Sequence, residues 1–238
     1  MATIRLIPST YSLSNTEYLS VSNETNMYDN TDSTTYATVT NSRTSTTSYH
    51  IYLKGFNFDD IPSNATVNSF TVKLKAYESG VSTSSLYTPK LVNNTTTITS
   101  SCSAITTSAQ TLTFTGVTAD WDTIVGYGSN FGISINCKRA SRYTTGHVYI
   151  YGAEILVDYT VPVYHTVSTS ITGGILRSPT TTSASVRGGA NYEITFYGNP
   201  GYTLSSMTVN GVEVTPTIKS APAPTLPRYT VSTNYGTY

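Results

Sequence analysis

The sequence feature that most constrains the fold is a run of strictly alternating apolar and polar residues at positions 70–77, within a predicted strand at 67–77. Val72, Leu74 and Ala76 supply its apolar side, and Lys73 and Lys75 lie between them. A period of two over this length predicts a β-strand with one buried and one wet face, as in an antiparallel sheet. Residues 52–64 add an aromatic-rich run and then a polar turn cluster with a proline. Together they predict a strand, a turn and a longer strand.

Composition extends this prediction to the whole chain. Of its 238 residues only 11% are charged, and it carries 20 tyrosines among many Thr, Ser and Asn residues. Such residues favour strands and turns over helices. Regularly spaced Val, Ile, Leu and Phe can bury a core, which argues against disorder, the other interpretation of Ser- and Thr-rich sequence. The length allows one large all-β domain, or one domain with a smaller companion.

Residues 1–161 contain about eight to ten short strand patterns separated by turn signals, which predicts a β-sandwich or jelly roll. One short helix is expected at residues 119–127, with Asp120 as its N-cap and Trp121 directed inward. Gly152 interrupts the last apolar run and predicts a bulge or bend. A strand predicted after the helix has one apolar face, formed by Phe131, Ile133, Ile135 and Cys137.

A seam at residues 161–162 separates this domain from sequence rich in Gly and turn signals. Asn210 and Gly211 form the strongest two-residue hairpin signal, because both central positions of a type I′ turn need positive φ. A small β-rich module, Ig-like or grasp-like, is therefore predicted at residues 162–215. Prolines are dense at the start of residues 216–238, which predicts an extended connector followed by a last short strand or loose tail.

The first domain resembles two known groups of proteins. The order of residues 52–77, Trp121 and the phrase NFGISI resembles the jelly-roll domains described as DNRLRE-type. A closer resemblance is to an N-terminal domain of structural proteins from tailed bacteriophages and prophages of Gram-positive gut bacteria. It is carried by the phrases NMYDNTDSTTYATV, LKGFNFDDIPSNATVNSFTVKLKA, GYGSNFGISINCKRASR and VYIYGAEILVDYT. That resemblance implies a virion component and brings no catalytic residues with it.

The second module resembles the divergent InlB B-repeat type of bacterial surface module. The features that match are Gly173, Gly174, Pro179, Val186, Gly188, Gly189, a strand at 192–197, the turn Asn199, Pro200, Gly201 and Tyr202, and the hairpin at 207–211. The sequence departs from this family at its end, where the family closes on a further strand and this chain has prolines.

Metal and cofactor chemistry finds little support in the sequence. Cys102 and Cys137 are the only cysteines, and two thiols cannot complete a four-ligand zinc site. A single disulfide bridge between them and two thiols in the apolar core are both compatible with the sequence. Reduced cysteines in the core are the favoured prediction. His50, His147 and His165 are far apart and form no HxH or HExxH motif, so they are interpreted as surface or strand histidines. No metal and no cofactor is expected.

Catalysis is also not expected. Asp59 and Asp60 fit half of a calcium site, but the acidic start of a turn is favoured. Asp120 and Asp122 could form the carboxylate pair of a glycosidase. At positions i and i+2, however, they do not share a helix face, and an N-cap role explains Asp120. The sequence has no nucleophile elbow and no phosphate-binding GxxxxGK motif, so the chain is predicted not to be an enzyme.

One basic cluster, formed by Lys138, Arg139 and Arg142 beside Tyr143, is the candidate contact site for a protein partner or a glycan. An anionic polymer such as teichoic acid or a capsid surface would fit it, and a solvated loop tip is the other interpretation. The 13 basic and 13 acidic residues give no broad surface for nucleic acid. With no signal peptide and no apolar run of about 20 residues, the sequence predicts no membrane association and synthesis in a host bacterial cytoplasm.

The predicted function is therefore a non-enzymatic structural protein of a tailed-phage virion, as a head fibre, capsid decoration, or tail or neck appendage. Expected partners are capsid, portal or tail proteins, further copies of the chain with a trimer favoured, and a host-surface polysaccharide. Tyrosine-rich faces suit such contacts. The alternative is a carbohydrate-binding module or cell-surface adhesin, which should be monomeric. A β-sandwich hydrolase or lyase would need an acid/base pair that the sequence does not show.

Overall fold

The computed structural model describes residues 1–42, 48–79, 88–138, 145–209, 211–214, 217–219 and 228–234. The chain is all-β with antiparallel sheets, as predicted. It divides into two compact units, Met1–Val161 and Pro162–Tyr238, at the same position as the sequence seam.

The strands that the structure describes in the first unit are arranged in two sheets. They are β1 (Ala2–Leu6), β2 (Thr10–Leu13), β3 (Leu19–Ser22), β4 (Ala37–Asn41), β5 (Tyr49–Lys54), β6 (Thr66–Ser79), β7 (Lys90–Asn93), β8 (Thr96–Thr97), β9 (Gln110–Thr113), β10 (Phe131–Cys137) and β11 (Gly146–Thr160). The strand β2 was not predicted from the sequence.

The order of the strands identifies the architecture as a jelly roll. The first sheet has the order β3-β4-β11-β6-β9, and the second has the order β2-β5-β10-β7-β8. Numbering the eight strands from β4 to β11 as 1 to 8 gives sheet orders 1-8-3-6 and 2-7-4-5, which is the jelly-roll order. The predicted jelly roll is thus confirmed.

The strand β11 is the centre of the first sheet. On one side it pairs with β6 along almost its whole length. On the other side its first half pairs with β4, and its second half pairs with β1. A register shift between Ile150 and Gly152 in the pairing with β6 confirms the bulge that the sequence predicted at Gly152.

The core lies between the two sheets and follows the predicted alternation. In β6, Val72, Leu74 and Ala76 are buried and the lysines between them are half-buried. The apolar face predicted for β10 is completely buried: Phe131, Ile133, Ile135 and Cys137. Burying these side chains is the main contribution to the stability of the unit, at about 25 cal/mol per Å² of apolar surface.

The helix α1 (Trp121–Tyr127) also forms where the sequence predicted it. The Asp120 carboxylate accepts a hydrogen bond of 2.8 Å from the backbone N–H of Thr123, so Asp120 is the N-cap. The half-buried Trp121 packs against Phe58 and Phe70, with ring centroids 5.6 and 5.5 Å away.

The second unit is a smaller β structure. Its strands are β12 (Tyr164–Ser168), β13 (Gly174–Ser178), β14 (Ser183–Arg187), β15 (Asn191–Gly198), β16 (Thr208–Val209), β17 (Val212–Glu213), β18 (Thr217–Lys219) and β19 (Arg228–Asn234). They form a four-stranded sheet β13-β15-β19-β18 and two pairs, β12-β14 and β16-β17. Among the side chains that the structure describes, the buried core of this unit is formed by Val167, Val186, Ile194 and Phe196.

Two turns of the second unit were predicted from glycines. Gly211 has a φ of 79° between the paired strands β16 and β17, as a hairpin turn requires, and Asn210 lies outside the described residues. The turn at Gly188 and Gly189 links β14 to β15. Those two strands pair with other strands, not with each other.

The end of the chain forms the last short strand that was one of the two predicted alternatives, but the module does not stop at residue 215 as predicted. There, β19 pairs with β15 from Arg228 to Asn234, and β18 pairs with β19. The second module therefore continues beyond residue 215 and is closed by a further strand, because the sequence at β19 is rich in β-formers once the prolines have passed.

Candidate functional site

Four tyrosines gather on the outward face of the first sheet of the jelly roll. Tyr77 on β6 lies opposite Tyr149 on β11, and Tyr151 follows two residues later on the same strand. Successive odd positions of a strand share a face, so the three side chains point the same way. Tyr36 precedes β4 and reaches the same group of rings. We refer to Tyr36, Tyr77, Tyr149 and Tyr151 as the tyrosine cluster.

The rings of the tyrosine cluster make two kinds of contact. Tyr77 and Tyr149 are stacked, with centroids 4.2 Å apart and planes 9° from parallel. Tyr36 meets the other rings edge-on, with centroids 5.2 Å from Tyr149 and 5.3 Å from Tyr151. Stacked and edge-to-face pairs are the favoured aromatic geometries, so the cluster holds its own rings in place.

Lysine and histidine side chains border the tyrosine cluster. The Nζ of Lys75 lies 4.9 Å from the centroid of the Tyr151 ring and donates a hydrogen bond of 2.8 Å to the backbone oxygen of Ser33. His147 packs beside Tyr149, and its Nδ1 is 3.1 Å from the hydroxyl of Thr40. The charge of Lys75 is therefore already engaged within the protein.

The loop that carries Tyr36 is anchored to the sheet by a buried carboxylate. Glu154 on β11 is only 1% exposed, and it accepts a hydrogen bond of 2.9 Å from the hydroxyl of Thr31. The same carboxylate is 3.1 Å from Nε of Arg5 and 3.9 Å from Nζ of Lys73. A buried charge requires such partners, and here they tie β1, β6, β11 and the loop before β4 together.

The bulge at Gly152 provides a second anchor for this loop. The backbone N–H of Ala153 donates a hydrogen bond of 2.9 Å to the carbonyl of Asp29. A Cβ at residue 152 would collide with the carbonyl oxygens of Asp29 and Asn30. The glycine thus allows the loop to lie directly against the strand, which fixes the approach of Tyr36.

Electrostatically the tyrosine cluster is close to neutral. Burial, together with a hydrogen bond to Tyr36 and the neighbouring phenols, raises the pKa of Tyr77 to about 12. That hydroxyl stays protonated at physiological pH. The cluster therefore presents rings and hydroxyls with little net charge, and its most accessible ring is Tyr36, which is 36% exposed. Such surfaces suit contacts with proteins or neutral polymers.

The site predicted from the sequence is only partly within the described residues. Lys138 directly follows β10 and is half-buried. Arg139, Arg142 and Tyr143 lie outside the described residues, so the basic cluster stays a prediction.

The three histidines lie on three different strands. His50 lies on β5 in the second sheet, with Nδ1 3.0 Å from the hydroxyl of Ser134. His147 lies on β11 in the first sheet, and His165 lies on β12 in the second unit. Burial, and to a smaller degree the charge of Lys90, lowers the pKa of His50.

The acidic residues and cysteines occupy structural positions. Asp59 and Asp60 lie in a 3-10 turn, where Asp60 accepts a hydrogen bond of 2.7 Å from the side-chain amide of Asn57. Within the described ranges, no group of three or more His, Cys, Asp and Glu residues is placed to hold a metal ion. Both cysteines are free: Cys137 is buried in the core and Cys102 is half-buried. Among the residues that the structure describes, no helix is both long enough and apolar enough to cross a membrane.

The tyrosine cluster was missed as a site by reasoning from the sequence alone, although the alternation of β6 and β11 places its residues on wet faces. A local signal for Glu154 did exist, because it is a single carboxylate within the apolar run AEILV.

Comparison of the chain with models of protein families, with curated proteins and with solved structures found no match.

Proposed function

We propose that the chain is a non-enzymatic structural protein of a tailed-phage particle, with the jelly roll contacting other particle proteins and the second unit available for display. The observation that carries the proposal is that the sequence phrases resembling phage structural proteins lie in the central strands of both sheets and in the loop that carries Tyr36. They span the loop before β4, the connection from the end of β5 into β6, the strand β10, and most of β11.

The tyrosine cluster supports a contact role for the first unit. Its rings are held by one another and by the loop anchored at Glu154, so little side-chain entropy would be lost when a partner covers them. Aromatic residues are enriched and charged residues depleted in the cores of protein interfaces. We assign Tyr36 as the central contact because it is the most exposed ring of the cluster.

The first experiment is mass spectrometry of peptides from density-purified phage particles. Recovery of the chain at a fixed ratio to the major capsid protein supports a virion component. A ratio close to that of the capsid protein indicates decoration or a head fibre, and a much smaller ratio indicates a tail or neck appendage. Recovery from cell walls and absence from particles would overturn the proposal in favour of the adhesin.

A pair of variants tests whether the tyrosine cluster makes the contact. Tyr36→Glu places a charge in the cluster and should lower incorporation into particles. Tyr52→Glu is the matched control, because Tyr52 lies on β5 in the other sheet, beside His50 and Lys54. Equal incorporation of both variants would exclude the tyrosine cluster as the contact surface.

Light scattering of the purified chain would show whether copies associate as a closed ring, with a trimer expected.

A further inference from the structure

The second unit contains an open cleft of about 650 Å³. One wall is formed by residues 166–174, which comprise the end of β12 and its connection to β13. The other wall is formed by residues 202–209, which lead into β16. Ligand sites commonly have volumes of about 300–1,000 Å³, so the cleft is large enough for a small molecule or a short polymer segment.

The floor and the rim of this cleft differ in chemistry. The floor includes the buried side chains of Val167, Ile194 and Phe196, with Leu204 and Met207 packed against them. The residues at the rim are exposed and several carry hydroxyl groups: Ser170, Thr172, Ser205 and Ser206. Among the residues that the structure describes, none that lines the cleft is Asp, Glu, Lys, Arg or His.

An exposed aromatic ring stands at the mouth of the cleft in a fixed position. Tyr202 is 59% exposed, and its backbone N–H donates a hydrogen bond of 2.9 Å to the carbonyl of Asn199. Gly201 has a φ of 83°, as the third position of a type II turn requires, with Pro200 before it.

Gly173 on the opposite wall completes this arrangement. Its carbonyl accepts a hydrogen bond of 2.9 Å from the N–H of Asn199. This bond joins the first wall to the turn that leads into the second wall. The Tyr202 ring packs so closely on Gly173 that any Cβ there would collide with it. The ring is therefore pre-positioned although most of its surface faces solvent.

We propose that this cleft binds a neutral saccharide. A sugar ring presents both apolar C–H faces and many hydroxyl groups, which match an aromatic ring, an apolar floor and a rim of hydroxyls. An acidic polysaccharide or a phosphorylated ligand would find no cation among the described residues that line the cleft. A purely apolar ligand would bury many rim hydroxyls without hydrogen-bond partners, which is costly. The inference goes beyond the proposed function, since it concerns the purified chain whether or not the chain belongs to a particle.

The test uses the full chain and a panel of defined oligosaccharides. Neutral gluco-, xylo-, manno- and chito-oligosaccharides are compared with oligogalacturonate by saturation-transfer NMR and calorimetry. We expect saturable binding of at least one neutral oligosaccharide, and a loss of about tenfold in affinity in Tyr202→Ala. Tyr164→Ala should bind as the unaltered chain does, because Tyr164 is 53% exposed in the same unit but does not line the cleft.

A second variant covers the case in which Tyr202→Ala disturbs the turn. Ser206→Arg places a bulky cation on the exposed rim of the cleft and should abolish binding without altering the core. The proposal is overturned if no neutral oligosaccharide binds at about 1 mM. It is also overturned if oligogalacturonate binds more tightly, or if binding survives in Ser206→Arg. None of these results depends on particle composition, so the failure of this proposal and that of the virion proposal are distinguishable.

Discussion

Tyr77 and Tyr149 lie directly opposite each other on β6 and β11, and their rings stack with centroids 4.2 Å apart. Aromatic pairs of this kind contribute about 0.5–1.5 kcal/mol beyond the surface they bury. We predict a coupling free energy in that range from a double-mutant cycle of Tyr77→Ala and Tyr149→Ala, measured by urea unfolding. The same cycle between Tyr52 and Tyr149, which lie on different sheets, should give a coupling near zero. Equal couplings in the two cycles would contradict a specific stacking interaction.

Two glycines should respond to alanine in opposite directions. Gly152→Ala forces the new Cβ against the carbonyls of Asp29 and Asn30, so we expect the free energy of unfolding to fall by about 1–3 kcal/mol. Gly126→Ala on α1 meets open space and should raise it by about 0.5–1 kcal/mol. Urea unfolding of the two variants side by side is the measurement. A neutral Gly152→Ala would show that the loop before β4 is not held against β11.

Glu78 should make stability depend on pH. It is only 3% exposed, and burial raises its pKa above the ordinary value of 4.5. The folded state therefore holds the proton more tightly than the unfolded state, so this stabilising contribution is complete below pH 4.5 and is lost as pH rises through the folded pKa. We predict that Glu78→Gln is more stable than the unaltered chain at neutral pH and similar to it in acid.

The control for this prediction is Glu17→Gln, which removes the same charge from an exposed position in the same unit. Thermal unfolding across a pH series should give a Glu17→Gln curve parallel to that of the unaltered chain. A Glu78→Gln curve that is also parallel would mean that Glu78 does not retain its proton on folding.

The two cysteines should be unreactive in the folded chain. Burial raises the pKa of Cys102 to about 11 and that of Cys137 to about 12. Because the thiolate is the reactive form, both should be slow toward Ellman's reagent near neutral pH, and both should react promptly in urea. Cys137 should be the slower of the two, since it is completely buried. Rapid release of two equivalents from the folded chain would contradict this placement.

The parts of the fold that could be predicted from the sequence are those set by neighbouring residues. The alternation of β6 and β10, the N-cap at Asp120 and the bulge at Gly152 each depend on a few adjacent positions, and each is confirmed. The strand β2 was missed because TYSL is too short to show a period.

The candidate sites depend on pairing between distant strands, which no local pattern encodes. The wet positions of β6 and β11 were evident, but their register decides that Tyr77 meets Tyr149. The cleft likewise requires the Asn199 turn to dock on Gly173. At the end of the chain, the prolines placed the predicted boundary of the module at residue 215, whereas β18 and β19 lie beyond that boundary and extend the sheet.

The central position of β11 has a mechanical consequence for the junction between the two units. Its last residues, which lead to Pro162, are hydrogen-bonded to β1 on one side and to β6 on the other. Tension transmitted through the second unit therefore reaches an interior strand of the sheet, and extraction of that strand requires two rows of hydrogen bonds to break. A tether attached through an edge strand could be peeled away along one row, so the jelly roll is built to resist pulling at this junction.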